Sequence, residues 1–96
     1  MQRMVLTARL REGTYERALE LAGEIPADRS ADGFTRFSVY LSEFEVVFLM
    51  EGPDAETLAR RIFDDPVRST AIGPWLSLFD GPFHRAHEVF HWSIDR

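Results

Sequence analysis

The chain has 96 residues, 45% of them apolar and 28% charged, which fits one globular domain, 1–96, with a real core. It has no cysteine, which excludes disulfides and thiolate metal sites, and its net charge of −5 without a basic cluster argues against a phosphate-tracking nucleic-acid binder. No apolar run approaches the ~20 residues of a membrane span, and residues 1–5 lack the apolar stretch of a signal peptide, so the cytoplasm is the expected location.

Residues 4–11 alternate. Met4, Leu6, Ala8 and Leu10 face one way and Val5, Thr7, Arg9 and Arg11 the other, the period of a strand with two different faces. The period then changes. Tyr15, Ala18, Leu19, Ala22 and Ile25 recur at three and four residues as one helical stripe, with Thr14 as the cap and Glu16, Glu20 and Glu24 on the solvated side. Pro26 ends this helix, and 27–33 reads as a polar loop.

Two further strands follow. Phe37, Val39 and Leu41 alternate with Arg36, Ser38 and Tyr40. Phe44, Val46, Phe48 and Met50 then alternate with Glu45, Val47, Leu49 and Glu51. Only Ser42 and Glu43 lie between, which predicts a tight hairpin. Pro53 suits the first position of a second helix, whose inner stripe is Ala55, Leu58, Ala59, Ile62 and Phe63, with Glu56 and Arg60 as an i,i+4 pair. Asp64, Asp65 and Pro66 stop it.

Residues 74–80 form a short helix in this reading, with Trp75, Leu78 and Phe79 inward, and Gly81-Pro82 breaks it. Residues 85–93 read as the last strand. Ala86, Glu88, Phe90 and Trp92 lie on one side; His87, Val89 and His91 lie on the other.

The order is βαββαβ. A four-stranded antiparallel sheet with two helices on one face is the ferredoxin-like α+β solution. Two helices cover only one face, and the bare face is too apolar to stand entirely in water. Two such faces packed together make a dimeric α+β barrel, so a homodimer with a cavity in each half is expected.

With strands ordered 4-1-3-2, the bare face carries Arg9, Arg36, Tyr40, Glu45, His87 and His91. Histidine exchanges its proton near neutral pH, so His87 or His91 beside Tyr40 or Glu45 is a candidate acid or base. The blander alternative is that these groups form interface hydrogen bonds and rim salt bridges. His84, His87 and His91 would share a face only on a helix. On a strand, His87 and His91 stand about 13 Å apart, too far to ligate one ion together, so no metal is expected. Tyr15, Trp75, Phe79, Phe83 and Trp92 are aromatic enough to wall a pocket for a planar or sugar-like ligand, or simply to fill the core.

Several segments resemble the L-rhamnose mutarotase family, a branch of the dimeric α+β barrels. Glu88-Val89-Phe90-His91 is similar to that family's closing strand, Phe37-Ser38-Val39-Tyr40-Leu41 to its second strand and Tyr15-Glu16-Arg17 to the Tyr-x-Arg of its first helix. Pro74-Trp75 falls where the family has a tryptophan-bearing segment. Leu19 stands where the family places an acid/base histidine. The resemblance implies a homodimer with a small-molecule pocket, lined at the matched positions Tyr15, Tyr40 and Trp75.

The functional expectation is a cofactor-free enzyme of isomerase, mutarotase or cyclase type acting on a polar cyclic metabolite. His87, His91 and Tyr40 would be catalytic, and Arg9, Tyr15, Arg36, Glu45 and Trp75 would bind the substrate. The alternatives are a non-catalytic binding or dimerisation module, which the leucine at position 19 favours, and a cofactor-free monooxygenase.

Overall fold

A computed structural model describes residues 2–25, 33–64 and 72–94. Pro26, the 27–32 part of the polar loop, and Asp65 with Pro66 lie outside them, as does the Phe63 side chain. Four strands, β1 (Gln2–Arg9), β2 (Arg36–Leu41), β3 (Glu45–Gly52) and β4 (His84–Ala86), form one antiparallel sheet in the order β2-β3-β1-β4. Helices α1 (Tyr15–Gly23) and α2 (Ala55–Phe63) and a 3-10 helix (Gly73–Leu78) complete the described elements. This is the ferredoxin-like arrangement. Among the described residues, no helix is long and apolar enough to cross a membrane.

Alternation decides what each strand buries. Met4, Leu6, Ala8 and Leu10 of the first strand region meet Val46, Phe48 and Met50 of β3 on the helix side, and all are buried. Phe37, Val39 and Leu41 of β2 pack against the same core. Helix α1 contributes Ala18 and Leu21, α2 contributes Ala55 and Ala59, and the 3-10 segment contributes Trp75, Leu78 and Phe79. Trp75 stands edge-on to Phe48 with ring centroids 5.3 Å apart, an arrangement that favours aromatic pairs.

Several local details differ from the sequence expectation. Leu19 is exposed and Leu21 is buried, so the α1 stripe is rotated toward Leu21. Thr14 precedes α1, but its hydroxyl donates to the Arg11 carbonyl at 2.7 Å instead of capping the helix. Helix α2 begins at Ala55, so Pro53 lies just before it. Its free Glu56 N–H donates to the Gln2 side-chain oxygen at 2.9 Å, a cap supplied by a strand. Glu56 is ion-paired with Arg85 of β4, not with Arg60.

The hairpin tip is Glu43-Phe44. The Ser42 hydroxyl accepts the N–H groups of Phe44 and Glu45 at 3.2 and 3.1 Å, and the Ser42 N–H donates to the Glu45 carbonyl at 2.9 Å. These bonds place Phe44 in the turn, where it is exposed, and start β3 at Glu45. Gly13, at φ +81°, supplies the left-handed residue of the tight β1–α1 connection.

The last strand is far shorter than the expected 85–93. Strand β4 spans only His84–Ala86, where Thr7 faces His84, Leu6 faces Arg85 and Val5 faces Ala86, and its ladder with β1 ends there.

Candidate functional site

Among the described residues, the odd-numbered residues of β1 and β3 form the sheet face that no helix covers. Register aligns Val5 with Leu49 and Thr7 with Val47, and Ser38 and Tyr40 of β2 stand beside Leu49 and Val47. Val5, Thr7, Ser38, Val47 and Leu49 are half-buried by their neighbours, while Tyr40 is exposed. The result is a shallow floor of mixed apolar and hydroxyl character.

One end of this floor is strongly polar. Arg3 donates from Nε and Nη2 to the same Glu51 oxygen, Oε2, at 3.0 and 2.8 Å. Arg36 Nη1 donates to the other oxygen, Oε1, at 3.4 Å, and Arg36 Nη2 donates to the Tyr40 hydroxyl at 3.1 Å. On the other side, Arg3 Nη1 donates to Glu88 Oε1 at 3.2 Å, and His91 Nδ1 lies 3.3 Å from that same oxygen. The groups form one continuous chain: His91, Glu88, Arg3, Glu51, Arg36, Tyr40. The hydrogen bond from Arg3 holds the Glu51 carboxyl below its ordinary value, and the Arg3 guanidinium is raised in turn, chiefly by the same bond.

Three residues named from the sequence, Tyr40, Arg36 and His91, are joined by this chain. The three that join them, Arg3, Glu51 and Glu88, were not named as site residues. Their signal was available: Arg3 and Glu51 share the parity of Val5 and Leu49. Linking them needed the pairing register, which brings residues 48 positions apart into contact.

Glu88 corrects the parity expected for the closing segment. Ala86 aligns with Val5 and Glu88 reaches Arg3, so the even-numbered residues 84, 86 and 88 lie on the bare face. His87, expected on that face, follows the end of β4 at Ala86 and has the opposite parity. Val89, expected there too, is 94% exposed.

Arg9 and Glu45 are aligned at the far end of the bare face. Arg9 also lines an open cleft of about 760 Å³ with Tyr15, Glu12, Glu16, Glu43, Phe44 and Asp80. This cleft lies roughly 20 Å along β1 from Arg3, at ~3.3 Å per residue. Arg9 and Tyr15 are thus together and apart from Tyr40. Trp75 is 2% exposed and belongs to the core beneath the helices. Among the described residues, no three His, Asp or Glu side chains gather in a way that would hold a metal ion.

Fold and site define an α+β domain with one bare sheet face bearing a charged network at one end. The chain matches no protein-family model and no curated protein.

Proposed function

We propose that the bare sheet face is a small-molecule site, closed by a second copy of the domain packed sheet to sheet as a dimeric α+β barrel. The single observation carrying this reading is the chain from His91 to Tyr40 along one end of a half-buried apolar floor. An apolar surface with a few converging polar groups is the usual make-up of a ligand site. The network holds both charges and a phenol, so it suits a ligand rich in hydroxyls, which both donates and accepts hydrogen bonds.

The chemistry proposed is proton transfer on a polar cyclic metabolite of the cytoplasm, of isomerase or mutarotase type and without a cofactor. His91 is the proton carrier, with Glu88 beside its Nδ1, and Tyr40 is a hydrogen-bond donor held by Arg36. The likeness of residues 37–41 and 88–91 to L-rhamnose mutarotase segments supports a sugar as the substrate class. The test is exchange between anomers of a panel of aldoses, followed by NMR. His91→Ala is expected to slow the exchange by about 10²–10⁴-fold. Undiminished exchange in that variant would end the assignment.

A second reading, binding without turnover, is favoured by the His91 side chain being 59% exposed. It predicts thermal stabilisation by the same sugars with no acceleration of exchange.

A further inference from the structure

The open cleft at the Arg9 end of β1 shares no residue with the chain from His91 to Tyr40. We infer that it is a second binding site, for a small zwitterion of net positive charge: an α-amino acid with a cationic side chain, such as lysine, ornithine or arginine. Arg9 takes the carboxylate. The acidic side chains of the cleft take the two cationic groups, and the aliphatic stem lies against Tyr15 and Phe44.

Backbone bonds fix the walls of the cleft. The Leu10 N–H donates to the Phe44 carbonyl, the Arg11 N–H to the Leu78 carbonyl and the Asp80 N–H to the Arg9 carbonyl, each at 2.8 Å. Leu10 and Phe79 form an isolated bridge beside these bonds. The end of β1, the hairpin tip and the segment after the 3-10 helix are thereby tied together. Gly13, at φ +81°, turns the chain so that Tyr15 of α1 joins them. The charged side chains take no part in this scaffold. Among the described residues, Arg9, Glu12, Glu16, Glu43 and Asp80 form no side-chain hydrogen bond or ion pair, so each is available to a ligand.

The chemistry of the lining selects the ligand. Four carboxylates against one guanidinium give the cleft a formal charge of −3 at pH 7, and a concave wall with a surplus of one sign concentrates ions of the other. A simple polyamine leaves Arg9 unmatched, and a simple carboxylic acid meets the surplus of acids. A molecule with one carboxylate and two cationic groups answers both signs. Phe44, 71% exposed at the hairpin tip, and the half-buried Tyr15 offer the stem an apolar wall and the side-chain cation a ring face. The volume of about 760 Å³ lies within the ~300–1,000 Å³ of small-ligand pockets.

The test is titration of the isotope-labelled full chain with L-lysine, followed by NMR. Two relatives of lysine each lack one group: cadaverine has no carboxylate, and norleucine has no side-chain amine. Lysine is expected to move the amide signals of Gly13, Tyr15, Phe44 and Asp80 and to bind about fivefold more tightly than either relative, the upper end for an exposed ion pair. Arg9→Gln is expected to weaken lysine by about the same factor without weakening cadaverine. Glu12→Gln combined with Asp80→Asn is expected to weaken both. All three positions are exposed, and circular dichroism checks that the fold is kept. Absence of shifts at these amides at several millimolar lysine overturns the site. Cadaverine bound as tightly as lysine overturns the role of Arg9, and norleucine bound as tightly overturns the cationic side chain.

Discussion

Arg3 and Glu51 are joined twice. They are register partners across β1 and β3, and two nitrogens of Arg3 converge on one oxygen of Glu51 at 2.8 and 3.0 Å. The pair sits at the middle of the polar chain, so it orients Arg36 and, through it, Tyr40.

The pair carries a pH signature. The Glu51 carboxyl is held below its ordinary value of 4.5, chiefly by the Arg3 hydrogen bond; burial opposes this as the next-largest effect, and the charges of Arg3 and Arg36 add smaller lowering contributions. A carboxylate depressed in the folded state stabilises it fully above the unfolded value. That contribution is lost as pH falls through the folded value. The stability gap between wild type and Glu51→Gln should therefore be level from pH 7 to about 5 and close below about 4. Urea unfolding at a series of pH values measures it, and a gap that stays level down to about pH 3 contradicts the assignment.

Gly52 is a packing constraint. A Cβ there would lie 2.8 Å from the Gly33 carbonyl oxygen and 3.4 Å from the Phe34 Cα, both backbone atoms. Backbone cannot swing aside as a side chain does. Gly52→Ala is expected to cost about 1–3 kcal/mol, read from the urea midpoint.

The two faces of the helical layer predict opposite outcomes. Trp75→Ala removes a ring packed on Phe48 and should cost about 3–5 kcal/mol. Leu19→Gln alters an exposed position of α1 and should stay within about 0.5 kcal/mol. Equal losses in the two variants would mean that the rotated α1 stripe is misplaced.

Charge on the bare face tests the dimer. Val47 is half-buried at the centre of the floor, flanked in register by Thr7 and Tyr40. Val47→Lys should leave the fold intact, since this side points away from the core, and shift the mass from dimer to monomer. Circular dichroism and light scattering on one sample separate the two effects. A lysine variant that keeps the dimer mass argues against sheet-to-sheet packing.

The covered face was legible because its pattern is local. Met4, Leu6, Ala8 and Leu10 announce a strand without reference to any partner, and Val46, Phe48 and Met50 do the same. The hairpin tip was missed by one residue because it depends on the Ser42 hydroxyl taking two backbone N–H groups, and composition does not reveal that. The final strand was overextended for a related reason. Phe90 and Trp92 alternate as strand residues do, yet a strand also needs ladder bonds to a neighbour, and those between the closing segment and β1 end at Ala86. The polar chain was half legible: Tyr40, Arg36 and His91 stand out by residue type, whereas Arg3, Glu51 and Glu88 gain meaning only once distant segments are brought side by side.

Strand β1 sits between β3 and β4, and both are made after it. During synthesis it leaves the ribosome with Met4, Leu6 and Leu10 unsheltered, and waits through more than forty residues for the β2–β3 hairpin it must join. The hairpin closes locally and early, whereas docking β1 closes a long loop and comes late. The interval before docking is when the nascent chain is most exposed to aggregation, and a cell would guard it with a chaperone that grips short apolar stretches.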